Sequence, residues 1–257
     1  MGRLALVALV VATAGGGVWL LTATFAPAEG PIATDIPALQ VQAAPVRPGE
    51  VAPASESVST VPQGTTQGKD PLAGWADRVA RTTGVPARAL MAYGNAELVM
   101  RSTTPGCHLS WATLAGIGRI ESNHGQFGGA VLGADGRPSK PIVGVPLDGS
   151  GGVQHIADSD HGVYDGDPTL DRAVGPMQFI PSTWAKWASD ANGDGRGDPQ
   201  QIDDAALSAA RYLCVAGRDM GSASGWWAGV LSYNNSVPYG QKVFGLADGY
   251  ARDAQHA

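Results

Sequence analysis

The stretch that decides both the fold and the chemistry is Gly118-Arg119-Ile120-Glu121-Ser122-Asn123-His124-Gly125. Leu114 and Ile117 precede it at spacings that share one helical face with Glu121. Ser110 is a candidate N-cap and Gly125 a candidate stop, so the pattern predicts a helix over 111–123. The stretch therefore places a carboxyl group on an apolar face near the end of a helix.

A carboxyl group in that position loses hydration. Desolvation disfavours its charged form, and a general acid needs this in order to hold a proton near neutral pH. Glu121 is accordingly the candidate catalytic residue. The alternative is a glutamate at a helix C-terminus that simply points into water.

The length and charge of the chain exclude some classes of protein. The 257 residues fit one domain with additional segments, and the formal net charge is −6. No basic block occurs in the sequence, so nucleic-acid binding has no electrostatic support.

The N-terminus predicts an exported protein. Residues 4–26 carry no charge, which is typical of a signal-peptide core or of an uncleaved membrane anchor. We assign residues 1–26 to that segment. A buried core helix is the alternative, which the Pro-rich sequence that follows disfavours. Either favoured interpretation places the protein in the cell envelope, outside the cytoplasmic membrane, as an anchored or secreted protein.

Residues 27–69 are rich in Pro, Ala, Val, Ser and Thr and contain few large apolar side chains. Such a segment cannot bury enough surface to offset its ordering entropy, so we predict a disordered linker. The folded domain is expected over residues 70–252, with a tail at 253–257.

The folded part has the pattern of a mainly α domain with a small irregular or β insertion. A short strand is expected at 141–146, inside a long stretch rich in Gly, Asp and Pro. The final two predicted helices are also compatible with one broken helix. The predicted helices cover 72–83, 86–100, 111–123, 182–189, 203–215, 224–234 and 238–250.

The two cysteines, Cys107 and Cys214, both lie in the folded part. An even pair in an exported chain favours a disulfide. This bridge would join the helix of Glu121 to the Ala-rich helix predicted at 203–215. Two buried free thiols are the alternative.

Three further segments carry side chains suited to sugars. Gly175-Pro176-Met177-Gln178-Phe179-Ile180-Pro181 offers an amide that can both donate to and accept from a sugar, beside an aromatic ring. Ser232-Tyr233-Asn234-Asn235 offers a phenol and amides. Trp226 and Trp227 offer flat faces for sugar rings, although such residues usually belong to a core.

Taken in order, these motifs resemble the signatures of lytic transglycosylases with a lysozyme-like SLT domain. The signatures are Glu-Ser at a helix end, Gly-Pro-Met-Gln-Phe and Tyr-Asn-Asn. The extended segment 173–184 is similar to the membrane-bound B type, and the segment 111–117 is similar to actinobacterial members. The resemblance covers roughly residues 70–252.

The resemblance implies a lysozyme-like fold with Glu121 as the single catalytic acid and base. It implies cleavage of the β-1,4 bond between N-acetylmuramic acid and N-acetylglucosamine in peptidoglycan, with 1,6-anhydro ends as the product. No cofactor is implied for catalysis. The substrate-binding residues are expected to be Ser122, Gln178, Phe179, Tyr233 and Asn234.

An acidic loop at residues 158–171 departs from that simple scheme. One of its carboxylates could lie near Glu121 and activate water, which would make the protein a hydrolase. The alternative is a solvated loop stabilised by Asx turns.

The segment Asp190-Ala191-Asn192-Gly193-Asp194-Gly195 matches the opening of a calcium-binding loop. The expected ligands are Asp190, Asn192, Asp194, the Arg196 carbonyl and Asp204. Gln201 stands where a glutamate is usual, and a plain loop is the alternative. The five histidines show no zinc spacing. We expect His124 to be an ordinary surface residue, and the alternative is that it tunes Glu121, which lies three residues before it.

Three functions remain for comparison. The leading hypothesis is an envelope lytic transglycosylase, acting as a monomer on peptidoglycan strands and held at the membrane if its N-terminus is uncleaved. The alternatives are a hydrolytic muramidase and a non-catalytic glycan-binding wall protein.

Overall fold

A computed structural model describes residues 41–53, 71–151 and 153–257. These residues form seven α-helices and one two-stranded antiparallel sheet. The helices are α1 (Pro71–Thr83), α2 (Ala87–Thr103), α3 (Trp111–Ser122), α4 (Pro181–Trp187), α5 (Ile202–Leu213), α6 (Ala223–Tyr233) and α7 (Val237–Ala254). The strands are β1 (Val143–Pro146) and β2 (Arg172–Val174). The expected architecture, mainly α with a small β insertion, is confirmed.

Helix α3 lies at the centre of the helical core. Every residue in it is buried except Arg119, and it packs against α2, α5 and α7. Glycine permits this close approach. A Cβ at Gly116 would lie 2.9 Å from the carbonyl oxygen of Val243 in α7, and a Cβ at Gly118 would collide with the hydroxyl of Tyr93 in α2. Small residues on α3 therefore fix the positions of both neighbouring helices.

Both ends of α3 follow the sequence signals. Ser110 Oγ accepts a hydrogen bond from the backbone N–H of Ala112 at 3.2 Å, as an N-cap does. At the other end, Asn123 and His124 adopt left-handed φ values of 53° and 59°. The backbone N–H of His124 donates to the Gly118 carbonyl at 2.8 Å, which closes the helix.

The last two helices are separate elements. Helix α6 ends at Tyr233, and α7 begins at Val237 after an N-cap at Ser236. Ser236 Oγ accepts from the backbone N–H of Tyr239 at 3.4 Å, which places Tyr239 in the first turn of α7. The interpretation of this region as one broken helix is therefore wrong.

The sheet lies between α3 and α4 in the chain. Strand β1 falls within the segment predicted to be a strand, and it pairs with β2, whose Val174 lies opposite Val143. Strand β2 runs directly into the Gly-Pro-Met-Gln-Phe segment, so the sheet positions that loop.

Cys107 and Cys214 form a disulfide, with Cα atoms 5.5 Å apart. The predicted pairing is confirmed. The bridge joins the segment before α3 to the end of α5 and closes a loop of 107 residues. In the chain-entropy model, a loop of that size stabilises the fold by about 4–5 kcal/mol.

Residues 41–53, here called the N-terminal strap, lie against α7. The backbone N–H of Ala44 donates to the Gln241 carbonyl at 3.3 Å, and Gln241 Nε2 donates to the Val46 carbonyl at 2.5 Å. Val46 and Ala52 also pack against the core. Part of the stretch predicted to be a disordered linker is therefore held by the domain, which its composition alone did not indicate.

The remainder of the predicted linker lies outside the described residues, as does the predicted signal or anchor segment at 1–26. Within the part of the chain that the structure describes, no helix combines the length and the apolar character needed to cross a membrane.

Candidate active site

Glu121 occupies the last turn of α3, and its side chain is 2% exposed. Its Oε1 accepts a hydrogen bond from the hydroxyl of Tyr239 at 2.5 Å. The alternative that Glu121 points into water is therefore wrong. The carboxyl group is held between helices α3 and α7 in a desolvated setting.

Tyr239 is a site residue that the sequence did not reveal. It lies on the buried face of α7 together with Val243 and Tyr250, a spacing that any core-facing helix shows. The helical cap at Ser236 places it in the first turn of α7, where that helix packs on α3. The sequence signal that could have pointed to it is its position five residues after Asn234.

Ser122 joins α3 to the Gly-Pro-Met-Gln-Phe loop. It is fully buried, its Oγ donates to the Pro176 carbonyl at 2.6 Å, and the same Oγ accepts from the Gly125 backbone N–H at 2.7 Å. Its hydroxyl is thus engaged on both sides. In this arrangement Ser122 positions the loop beside Glu121, instead of presenting its hydroxyl to a ligand.

Tyr233 fixes the other side of the same loop. Its hydroxyl donates to the Met177 carbonyl at 2.6 Å. Burial, followed by the nearby charge of Glu121, raises the pKa of Tyr233 well above its ordinary value. The phenol therefore stays protonated and remains a donor. Asn234, the next residue, is the C-cap of α6 and is 2% exposed.

Gln178 has a strained backbone, with φ of 49°. Non-glycine residues seldom adopt this left-handed region, and they cluster there at functional sites. The side chain is nearly buried, and Nε2 donates to the Gly175 carbonyl at 3.0 Å. Gly175 is needed because a Cβ there would collide with the Pro199 carbonyl.

A small cavity of about 70 Å³, here called the Gln178 pocket, lies beside this loop. It is far smaller than the roughly 300–1,000 Å³ of small-molecule pockets, so it can accept a substituent but not a whole sugar ring. The structure brings three of the predicted binding residues together there. The lining residues are Gln178, Phe179, Ile180, Thr183, Tyr212, Ser232 and Tyr233.

His124 corrects one expectation. It is 3% exposed, and its ring lies between two phenols, with Tyr93 Oη 3.2 Å from Nδ1 and Tyr250 Oη 3.5 Å from Nε2. Burial, with a smaller effect from the charge of Arg119, lowers the pKa of His124 to about 3. Its assignment to the surface was wrong because the left-handed turn after α3 directs it inward.

Trp226 and Trp227 belong to the core. They are 1% and 2% exposed, and Trp226 Nε1 donates to Thr113 Oγ1 at 3.0 Å. Neither offers a free face to a sugar ring. The interpretation of this pair as a sugar platform is therefore wrong.

The acidic loop has the geometry of an Asx-turn loop. Asp158 Oδ1 accepts from the backbone N–H groups of Asp160 and Gly162, and the fully buried Asp171 accepts from the backbone N–H and the hydroxyl of Ser159. The carboxylates of Asp158, Asp160 and Asp171 converge within 4.8 Å of one another. Their hydrogen bonds are made within the loop. This is the geometry expected for the alternative of a loop stabilised by Asx turns.

The predicted calcium loop closes on its own backbone. Asp190 accepts from the N–H groups of Gly193 and Gly195 at 2.7 and 2.8 Å, and Asp194 Oδ1 accepts from the Arg196 N–H at 3.1 Å. Gln201 caps α5, with its Oε1 accepting from the N–H of Asp203 and Asp204. Gln201, which stands at the usual twelfth ligand position, therefore uses its side-chain oxygen to cap this helix.

Asp204 is fully buried beneath that loop. Its carboxylate accepts from the backbone N–H of Ala191 at 2.7 Å, of Asn192 at 3.3 Å and of Asp198 at 3.0 Å. Burial raises the pKa of Asp204 in spite of these bonds. The oxygen donors of residues 190–204 suit calcium. Within the described residues, however, no three of their carboxylates lie close enough together to share one ion. The fit is partial, and calcium binding stays a prediction.

Comparison with known proteins gives a match for one part of the chain. Residues 169–230 match the family model described as Transglycosylase SLT domain. That range contains the Gly-Pro-Met-Gln-Phe loop and helix α4 through most of α6. A comparison with curated proteins found no match.

Among solved structures, the chain is similar to the Escherichia coli lytic transglycosylase Slt35 in complex with bulgecin A. The identity is 12%, the alignment covers 80% of this chain and 98% of that chain, and the TM-score is 0.35. That likeness is too distant to carry an argument about this chain.

Proposed function

We propose that this chain is a peptidoglycan lytic transglycosylase with Glu121 as its general acid and base. One observation carries the proposal. The buried carboxyl of Glu121 is held by Tyr239 on a helix that Ser122 joins to the Gly-Pro-Met-Gln-Phe loop, and that loop lies inside the segment matching the transglycosylase family model. The membrane-bound B type is the member class that the motifs favour.

In the proposed reaction, protonated Glu121 donates its proton to the oxygen of the bond between N-acetylmuramic acid and N-acetylglucosamine. That bond breaks, and the N-acetylglucosamine unit leaves as an alcohol. The C6 hydroxyl of the muramyl residue then forms a bond to C1 and returns its proton to the Glu121 carboxylate. The muramyl acetamido group replaces the second carboxylate that most glycosidases use.

Other side chains position these groups. Tyr239 holds Glu121 through the 2.5 Å hydrogen bond, and Tyr233 holds the Met177 carbonyl of the loop. Gln178 and Phe179 line a pocket whose size suits an acetamido group, and an amide side chain can both donate to and accept from that group.

The same proposal includes a location and partners. We place the protein in the cell envelope, attached through its N-terminal segment or secreted, acting as a monomer on peptidoglycan strands. The disulfide supports an oxidising compartment. We retain structural calcium as a separate proposal, supported by the hard oxygen donors of its expected ligands. These are Asp190, Asn192, Asp194, the Arg196 carbonyl and Asp204.

Mass spectrometry of digested peptidoglycan tests the function. The native chain should release fragments ending in 1,6-anhydromuramic acid, each lighter by one water than a hydrolytic fragment, and Glu121→Gln should release almost none. Fragments with reducing ends would identify a muramidase. Binding without cleavage by the native chain would identify a glycan-binding wall protein.

A further inference from the structure

A second cavity, here called the distal cavity, borders the N-terminal end of α3. Its volume of about 500 Å³ falls within the range of small-molecule pockets. It is lined by the end of α2 and by the segments that precede α3 and α6. Trp111 and Glu121 lie near opposite ends of α3, which separates them by about 15 Å at 1.5 Å per residue. The distal cavity is therefore separate from the candidate active site.

Part of the distal cavity is apolar. Met100 and Leu109 line it and are 4% and 5% exposed, and Pro105 also lines it. A methionine side chain adapts its shape to an apolar neighbour. This part of the lining suits an aliphatic chain.

The end of α2 contributes a buried carboxylate and an accessible cation. Glu97 lines the cavity and is 2% exposed, and its Oε2 accepts from the backbone N–H of Trp111 at 2.7 Å. Arg101, one turn further along α2, has its Nη1 3.9 Å from Glu97 Oε1 and is 46% exposed. A guanidinium group has five N–H donors, so this loose pair leaves donors for the carboxylate of a ligand.

The segment before α6 contributes a second carboxylate. Asp219 Oδ1 lies 2.8 Å from His108 Nδ1 and accepts from the backbone N–H of Gly221 at 2.9 Å. These hydrogen bonds, with that of His108 first, lower the pKa of Asp219, which therefore stays charged. The side chain of Asp219 is 46% exposed, so a ligand can reach it.

The segments that carry His108 and Asp219 are fixed to each other. The backbone N–H of Met220 donates to the Cys107 carbonyl at 2.6 Å, and Cys107 is held by the disulfide. His108 has a left-handed φ of 50°, which persists only where the surrounding structure holds it. The cavity is therefore formed before a ligand arrives, which reduces the ordering cost of binding.

The charges select the kind of ligand. A molecule that fills the cavity displaces water from Asp219 and Arg101, and a charge that loses water without gaining a partner is costly. An ammonium group can replace that water at the carboxylates, and a carboxylate group can replace it at Arg101. An uncharged ligand replaces neither, and a ligand with only negative charges meets two acidic groups.

We propose that the distal cavity binds a basic amino acid, either free or at the carboxyl end of a peptide. The side-chain ammonium lies with Glu97 and Asp219, the carboxylate pairs with Arg101, and the aliphatic chain packs on Met100 and Leu109. This site is independent of the proposed function.

Titration of matched probes into the full chain, followed by NMR, tests the proposal. The probes are Nα-acetyl-lysine, its amide, which lacks the carboxylate, and Nα-acetyl-norleucine, which lacks the ammonium. Nα-acetyl-lysine should bind with a Kd of about 10⁻³ M, as expected for its size. The norleucine probe should bind at least about tenfold more weakly, and the amide about threefold more weakly, because Arg101 is partly exposed.

Two variants assign the contacts. Asp219→Asn keeps an oxygen for Gly221 and His108 but loses the charge, so the Kd of Nα-acetyl-lysine should rise about tenfold. Arg101→Gln should make the amide and the acid bind equally. The matched controls are Asp248→Asn and Arg252→Gln, since these two residues also form an i,i+4 ion pair on a helix but lie outside the cavity lining. Both controls should keep the parental affinities.

The proposal would be overturned if the parent bound the lysine and norleucine probes equally, or bound neither at about ten times the expected Kd. It would also be overturned if neither Asp219→Asn nor Arg101→Gln changed binding. Free lysine is the last probe: tighter binding than its Nα-acetyl form supports a free amino acid, and weaker binding supports a peptide end. Probe binding by a chain that leaves peptidoglycan intact would support the distal cavity and refute the proposed catalytic function.

Discussion

Glu121 and Asp204 are both buried carboxyl groups, but they lie in opposite kinds of environment. Asp204 accepts hydrogen bonds from three backbone N–H groups of the loop above it. Glu121 accepts from the phenol of Tyr239. Backbone donors are fixed, so protonation of Asp204 would break the loop. The Tyr239 hydroxyl can rotate about its C–O bond, so this donor can adjust without movement of the backbone.

Their positions on helices differ as well. Asp204 lies in the first turn of α5, where the helix dipole favours a negative charge. Glu121 lies in the last turn of α3, where the dipole disfavours that charge. Burial alone therefore does not identify a catalytic acid. The kind of donor and the end of the helix distinguish Glu121, the proposed acid, from Asp204, which holds a loop.

Glu121→Gln gives the largest expected effect. It keeps the shape of the side chain but removes the proton that can be transferred, so peptidoglycan cleavage should fall by about 10²–10⁴-fold. The melting temperature should stay near that of the parent. A folded Glu121→Gln protein that digests peptidoglycan at the parental rate would remove Glu121 from the chemistry.

Asp204→Asn should show the opposite pattern. The amide nitrogen of the new asparagine would face backbone N–H groups that now donate to a carboxylate oxygen. The loss of these hydrogen bonds should lower the free energy of unfolding by about 2–3 kcal/mol. Cleavage per folded molecule should be unchanged. Urea denaturation measures the loss, with Asp253→Asn at an exposed position as the control. Equal stability of the two variants would show that Asp204 does not hold the loop.

The folded domain should lose stability in acid because of His124. Its pKa is about 3 when folded, against an ordinary value of 6.5, so between these limits the unfolded chain binds more protons. The free energy of unfolding therefore falls as the pH drops through this window. At pH 5 it should be about 2 kcal/mol lower than at neutral pH. His124→Asn, which tolerates the left-handed φ, should reduce that slope in denaturation curves. An unchanged slope would contradict the assignment.

Tyr239→Phe should have a smaller effect on the same site as Glu121→Gln. The ring remains, but the hydrogen bond to Glu121 is lost, and the rate should fall about tenfold. Because the charged carboxyl loses a donor, the alkaline limb of the pH–rate profile should move to higher pH. Tyr250→Phe, on the same helix but beside His124, should leave that limb in place. Identical shifts in both variants would argue against a specific role for Tyr239.

Calcium gives the smallest expected effect. The usual twelfth-position glutamate is missing, so we expect a Kd of about 10⁻³ M, at the weak end of extracellular sites, and about 5 mM calcium should then add roughly 1 kcal/mol of stability by mass action. Asp194→Ala should remove this gain. Thermal melts in calcium and in chelator make the measurement. Superimposable melts of the parent would leave residues 190–204 as a loop held by its own hydrogen bonds.

Local signals in the sequence predicted much of the core of this domain. The cap at Ser110 and the apolar spacing gave α3 to within one residue, and the two cysteines gave the bridge. These features depend on short-range periodicity or on simple pairing. The same reasoning placed Gln178 and Tyr233 in separate motifs, and the structure brings both to one pocket.

Features set by tertiary contacts could not be predicted in this way. His124 follows a helix stop, where exposure is usual, but its left-handed backbone carries it between two phenols. Tyr239 fits an apolar helix face as well as it fits a catalytic site. The N-terminal strap has the composition of a disordered chain, and only its hydrogen bonds to Gln241 place it on α7.

The N-terminal strap also determines where mechanical load enters the domain. Any tension on the chain before residue 41 is borne first at Ala44 and Val46, through their hydrogen bonds to Gln241. Gln241 lies two residues from Tyr239 on the same helix. A force along the peptide therefore reaches α7, which holds the phenol bonded to Glu121, before it reaches the first helix of the domain.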